Sequence, residues 1–159
     1  MTDAYNLHRF LDGQAGVYDT VLAELRSGRK SSHWIWFIFP QIAGLGHSEM
    51  AQQFAIGSLD EAKTYLQHPI LGPRLRTCTQ LVLNVAGRSV DEIFGHPDHL
   101  KFRSCITLFL TAAPDNSKCF ICSCLPRTDY TYAFPRHLSA LLLKKAVTDA
   151  ASHGSAARL

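Results

Sequence analysis

The segment from Arg29 to Gln41, Arg-Lys-Ser-Ser-His-Trp-Ile-Trp-Phe-Ile-Phe-Pro-Gln, gathers the residue types that a small-molecule site needs. Lys30 offers a positive charge, His33 a base that titrates near neutral pH, Gln41 an amide, and Trp34 and Trp36 indole donors on flat apolar rings. A loop carrying Gly44 and Gly46 follows directly. This mixture suits a pocket for a polar or anionic molecule, and in an enzyme His33 would act as a general base. The packing alternative stands beside it: two tryptophans, two phenylalanines and two isoleucines in six consecutive positions are also the composition of a core anchor.

A second polar group follows Pro97-Asp98. Lys101, Ser104 and Thr107 succeed one another at intervals of three, which puts them toward one helix face, with Arg103 among them. A solvated surface is the ordinary meaning of such a face. If it meets the Lys30–His33 segment, recognition of a phosphate or carboxylate becomes the better reading. The candidate binding set is therefore Lys30, Trp34, Trp36, Gln41, Lys101, Ser104 and Thr107, with His33 as the candidate catalytic residue.

Other chemistries find less support. Cys119-x-x-Cys122-x-Cys124 has spacing that zinc uses, but no second cysteine pair completes the ligands and only His137 follows nearby, so no metal is expected. Gly-x-Ser-x-Gly, His-Glu-x-x-His and a phosphate-cradling glycine loop are absent from the sequence, and no cofactor is implied. The acidic pairs Asp60-Glu61 and Asp91-Glu92 each follow a serine and read as helix starts rather than as paired catalytic carboxylates.

The elements that must carry these residues read as helices. Leu7, Phe10 and Leu11 form a short turn; Val17, Tyr18, Val21, Leu22 and Leu25 repeat at helical spacing until Gly28 stops them. Trp34–Phe39 fits a buried strand or a buried short helix equally well by pattern. Ser48 starts a helix through Met50, Phe54 and Ile56, and Ser58 starts another to about His68. Leu75, Cys78, Thr79, Val82 and Val85 keep a helical period to Gly87; Ser89 caps a short turn through Phe94; and a longer helix over 98–112 has Leu100, Ile106, Leu108, Phe109 and Leu110 as core candidates. A last helix is expected from about Pro135 through Val147.

Composition sets the outer bounds. A hydrophobic share of 47% and a charged share of 18% over 159 residues are those of one globular domain able to bury a real core. The domain is expected over 1–151, with 152–159 as a frayed tail. A net charge of +3, with basic residues scattered rather than massed, argues against nucleic acid as a partner. No apolar run approaches the roughly 20 residues a bilayer requires, so no membrane partner is expected. The start Met-Thr-Asp-Ala-Tyr lacks a secretory pattern and the five cysteines are odd in number, so the protein is expected in the cytoplasm with reduced thiols. Nothing in the sequence sets an oligomeric state.

The run Gly28–Gln41 with Gly44-Leu45-Gly46 also carries a resemblance, extended by Gln14, Glu61-Ala62, Tyr65-Leu66, His68-Pro69, Leu71-Gly72-Pro73-Arg74-Leu75, Ile93-Phe94-Gly95, Pro97-Asp98, Lys101, Ser104 and Thr107-Leu108-Phe109. Together these resemble the signature of a bacterial family catalogued as domain of unknown function 1810, over about residues 7–109. The resemblance implies an all-helical fold, and so a helix at Trp34–Phe39; it implies no reaction. Members often bear a calpastatin-like label, which has no physical support here, since such an inhibitor is a long, polar, disordered chain. After Thr111 the pattern diverges, as a reading-frame shift in the source gene would make it do; resequencing that returns the same residues would dismiss that explanation.

The expectation is thus an all-α, single-domain bundle of short helices with a polar pocket beside Trp34–Phe39 for a small anionic or nucleotide-like molecule. The rival readings are a hydrolase acting on a nucleotide-sugar type substrate, with His33 as general base, and a protein-interaction module, which would need exposed aromatics.

Overall fold

Local signals in the chain place most of the helix ends seen in a computed structural model, which describes residues 3–113. Among them are eight helices: α1 (His8–Gln14), α2 (Tyr18–Arg26), α3 (Ile35–Ile38), α4 (Glu49–Gln53), α5 (Leu59–Gln67), α6 (Leu71–Leu83), α7 (Val90–Phe94) and α8 (Asp98–Ala112). The described residues contain no strand, and their one β-type contact is an isolated parallel bridge between Ile42 and Ile56. The fold is all-α, as expected. The helix expected from Pro135, the frayed tail and Cys119, Cys122 and Cys124 lie outside the described residues.

Serine caps open three helices. The Ser48, Ser58 and Ser89 hydroxyls accept from the amides of Ala51, Glu61 and Glu92. At Ser89 the reciprocal half is also made, Glu92 accepting from the Ser89 amide. At Ser58 it is not: the Glu61 carboxylate turns to the Gly57 amide at 2.7 Å and to Arg9 at 2.6 Å, tying α5 to α1.

Helix α2 ends in a Schellman turn. Gly28 stands at φ 69°, its amide donating to the Leu25 carbonyl while Arg29 donates to that of Glu24. An added methyl group at Gly28 would also come within 2.7 Å of the Val85 side chain. The chain leaves this turn toward α7, where the Lys30 amide donates to the Ile93 carbonyl at 2.8 Å.

Helix α8 packs against α5, α7 and α3. Phe102 stacks on Phe94 with ring centres 4.8 Å apart and meets Phe39 edge-on at 4.8 Å, and Trp34 and Phe39 both reach Phe94. This aromatic knot locks the Trp34–Phe39 segment to the start of α8. Its continuous apolar pattern is thereby explained: Trp34, Ile35, Phe37, Ile38 and Phe39 are all buried, and Pro40 follows the short helix.

Two expectations fail locally. The helix after Ser48 stops at Gln53, and Ile56 instead bridges to Ile42. Leu100, expected in the core, is 48% exposed. Phe102, Cys105, Ile106 and Phe109 set the inward side of α8, and Leu100, two positions before Phe102, lies about 200° around the helix from it. Leu100→Gln is accordingly expected to change unfolding free energy by less than about 0.5 kcal/mol, as read from urea denaturation; a loss above about 2 kcal/mol would return Leu100 to the core.

Candidate functional site

The turn after α2 and the start of α8 bring two lysines to one carboxylate. Lys30 Nζ lies 2.6 Å from Asp98 Oδ2 and Lys101 Nζ 2.8 Å from Asp98 Oδ1. Lys30 also donates to the Ser32 carbonyl at 2.7 Å. Each ammonium sits over an indole, Lys30 at 5.1 Å from the Trp34 ring centre and Lys101 at 4.6 Å from that of Trp36. Side-chain exposures of 8% for Lys30, 16% for Asp98 and 21% for Lys101 grade the cluster from inside to outside, making Lys101 its most accessible charge.

Two ammonium groups share the Asp98 carboxylate. Burial pushes the Asp98 carboxyl upward, but the hydrogen bonds and charges of Lys101 and Lys30 outweigh it and hold the group below its ordinary value. Asp98 is therefore ionised at neutral pH and neutralises one of its two neighbours. An ammonium has three donors, so both lysines keep donor capacity beyond the bonds described.

The two tryptophans differ. Trp34 is 2% exposed and its Nε1 donates to Glu24 Oε2 at 2.8 Å, so it belongs to the frame. Trp36 is half-buried, and its Nε1 is a buried donor with no hydrogen-bond partner among the described residues. Such an orphan costs free energy until an acceptor reaches it.

Glu24, near the end of α2, organises the segment. Its carboxylate accepts from the amides of Ser31 and Ser32, from the Ser32 hydroxyl and from Trp34 Nε1, at 2.5–3.2 Å. Burial alone would raise its pKa, but these four donors bring it down from 4.5 to about 2.

Of the residues singled out by sequence, Lys30, Trp34, Trp36 and Lys101 thus come together. His33 is exposed and makes no hydrogen bond to the cluster among the described residues. Gln41 is half-buried, and its carbonyl accepts from Ile56 at 2.8 Å. Ser104 donates to the Leu100 carbonyl of its own helix at 2.9 Å; Thr107 is buried and donates to that of Arg103 at 3.0 Å. Steps of three residues drift by about 60° each around a helix, so Lys101 and Thr107 end about 120° apart. Two participants were missed. Asp98 carries a legible signal, three residues before Lys101 on a helix, whereas Glu24 carries none.

The acidic pairs have structural partners. Asp60 pairs with Lys63, Glu61 with Arg9 and Asp91 with Arg103, while Glu92 caps α7. Among the described residues no group of three or more His, Cys, Asp or Glu side chains is disposed to hold a metal ion. No helix there is long and apolar enough to cross a membrane.

A family model described as "Protein of unknown function (DUF1810)" matches residues 4–125. The chain belongs to that family. The DUF1810 match extends the 7–109 span of the sequence resemblance at both ends. Among solved structures, the crystal structure of the conserved hypothetical protein Rv1873 from Mycobacterium tuberculosis is similar, with 48% identity and a TM-score of 0.81 over 89% of this chain and 99% of that one. No curated protein matches the chain.

Proposed function

We propose that this DUF1810 protein is a binding module for a small anionic or nucleotide-like molecule, received where Lys30 and Lys101 meet Trp36. The observation that carries the reading is the meeting of two ammonium groups on a single carboxylate, which leaves both lysines with donors to spare. The orphan Trp36 N–H beside Lys101 adds a third donor, and the half-buried indole gives a nucleobase a flat surface. Asp98 fixes the two lysines in place, so it is a positioning residue rather than a contact for the anion.

Isothermal titration with AMP and with inorganic phosphate tests this. Lys101→Ala is expected to weaken binding at least roughly tenfold, the value of a hydrogen bond to a charged group, while leaving the fold intact. Equal affinity in wild type and variant, or no binding to wild type, would overturn the reading.

A hydrolase acting on a nucleotide-sugar type substrate ranks second, on one observation: His33 directly follows the Ser32 carbonyl to which Lys30 is anchored. If that reading holds, His33→Ala abolishes turnover and keeps binding.

A further inference from the structure

We infer that Arg74 heads a second oxyanion site, separate from the lysine cluster, which takes a small carboxylate or phosphate. Its guanidinium is held from two sides. The carbon Cζ lies 4.3 Å over the Tyr18 ring, and Nη1 donates to Gln14 Oε1 at 3.0 Å. Gln14, 1% exposed, is itself fixed, because its Nε2 donates to the Phe37 carbonyl at 2.8 Å. A fork so oriented loses little further freedom when it receives a planar or tetrahedral oxyanion.

What the fork lacks among the described residues is a negative charge. Arg9 and Arg103 pair with Glu61 and Asp91, but half-buried Arg74 meets no carboxylate among the described residues. Partly desolvated cations are ordinarily paired. Its neighbours do not supply the charge: burial pushes the Tyr18 phenol and the Cys78 thiol each up to about 12, so both are neutral at pH 7.

The Tyr65 hydroxyl is fully buried and has no hydrogen-bond partner among the described residues. Burial pushes the Tyr65 phenol well above its ordinary value, against smaller opposing effects of Gln14 and Arg74, so the hydroxyl keeps its proton inside the core. Helices α1, α2 and α6 therefore converge on one guanidinium that no carboxylate among the described residues neutralises. An oxyanion on Arg74 supplies that charge.

The test is nitrogen-15 NMR of the arginine Nε–H resonances of the full-length protein, titrated separately with inorganic phosphate and with acetate. The Arg74 signal, assigned by its loss in Arg74→Lys, is expected to shift saturably with at least one of the two, and the arm that saturates at the lower concentration names the chemistry. The shift is expected to persist in Lys101→Ala, which separates this site from the lysine cluster. An Arg74 signal unmoved by both anions would overturn the inference. So would a shift that vanishes in Lys101→Ala.

Discussion

Asp98→Asn is expected to destabilise the protein by about 3 kcal/mol, because it keeps the shape of the side chain and leaves two largely buried ammonium groups without their common counter-charge. For a domain of this size the loss corresponds to a fall in melting temperature of roughly 10 °C. The same substitution frees both lysines for an external anion, so phosphate is expected to return part of the lost stability to the variant. A melting temperature within about 2 °C of wild type would mean that the lysines swing into solvent and that the cluster is not held together. The pH dependence follows from the depressed carboxyl: the contribution is complete above the ordinary value of 3.8 and disappears as pH falls through the lower value of the folded state.

Glu24→Gln is expected to cost about 2 kcal/mol, a figure already reduced for the solvent around a carboxylate that is only partly buried. Glutamine keeps one acceptor oxygen, but its amide turns two N–H bonds toward a place where four donors converge. The damage should spread, since Glu24 holds the Ser31–Ser32 turn that delivers Lys30 to Asp98. The folded pKa of about 2 lies below the ordinary 4.5, so this stabilisation is full above pH 4.5 and is lost as pH falls toward 2. Thermal melts between pH 7 and pH 2.5 should therefore show a steeper acid loss for wild type than for Glu24→Gln. Parallel curves would contradict the role given to Glu24.

Helix ends were legible wherever one residue decides them. Ser48, Ser58, Ser89 and Gly28 act through the backbone groups next to them, and the chain states those neighbours directly. Trp34–Phe39 was not legible by pattern, because a segment with five of its six side chains buried has no period; the resemblance decided it, and the contacts with Phe94 and Phe102 give the reason. Leu100 misled because apolar character alone does not report the angle at which a helix faces its core. Within the site, Lys30, Trp36 and Lys101 were found by residue type, whereas the partners that give them meaning were not. Glu24 collects donors from seven to ten residues ahead across a chain reversal, and Gln14 meets Arg74 sixty residues away. Such pairings exist only once the helices have packed.

The two tryptophans make a direct examination of the lysine cluster practical, since a nitrogen-15 spectrum of the protein carries only two indole N–H signals. Trp34 donates to Glu24, so its signal is identified by the displacement that Glu24→Gln causes; the other belongs to Trp36. On titration with AMP or inorganic phosphate, the Trp36 signal is expected to move saturably, as an acceptor reaches an N–H that has no partner among the described residues, while the Trp34 signal stays in place. If the Trp36 signal remains fixed at saturating anion, or only that of Trp34 moves, the lysine cluster is a structural ion pair and not a binding site.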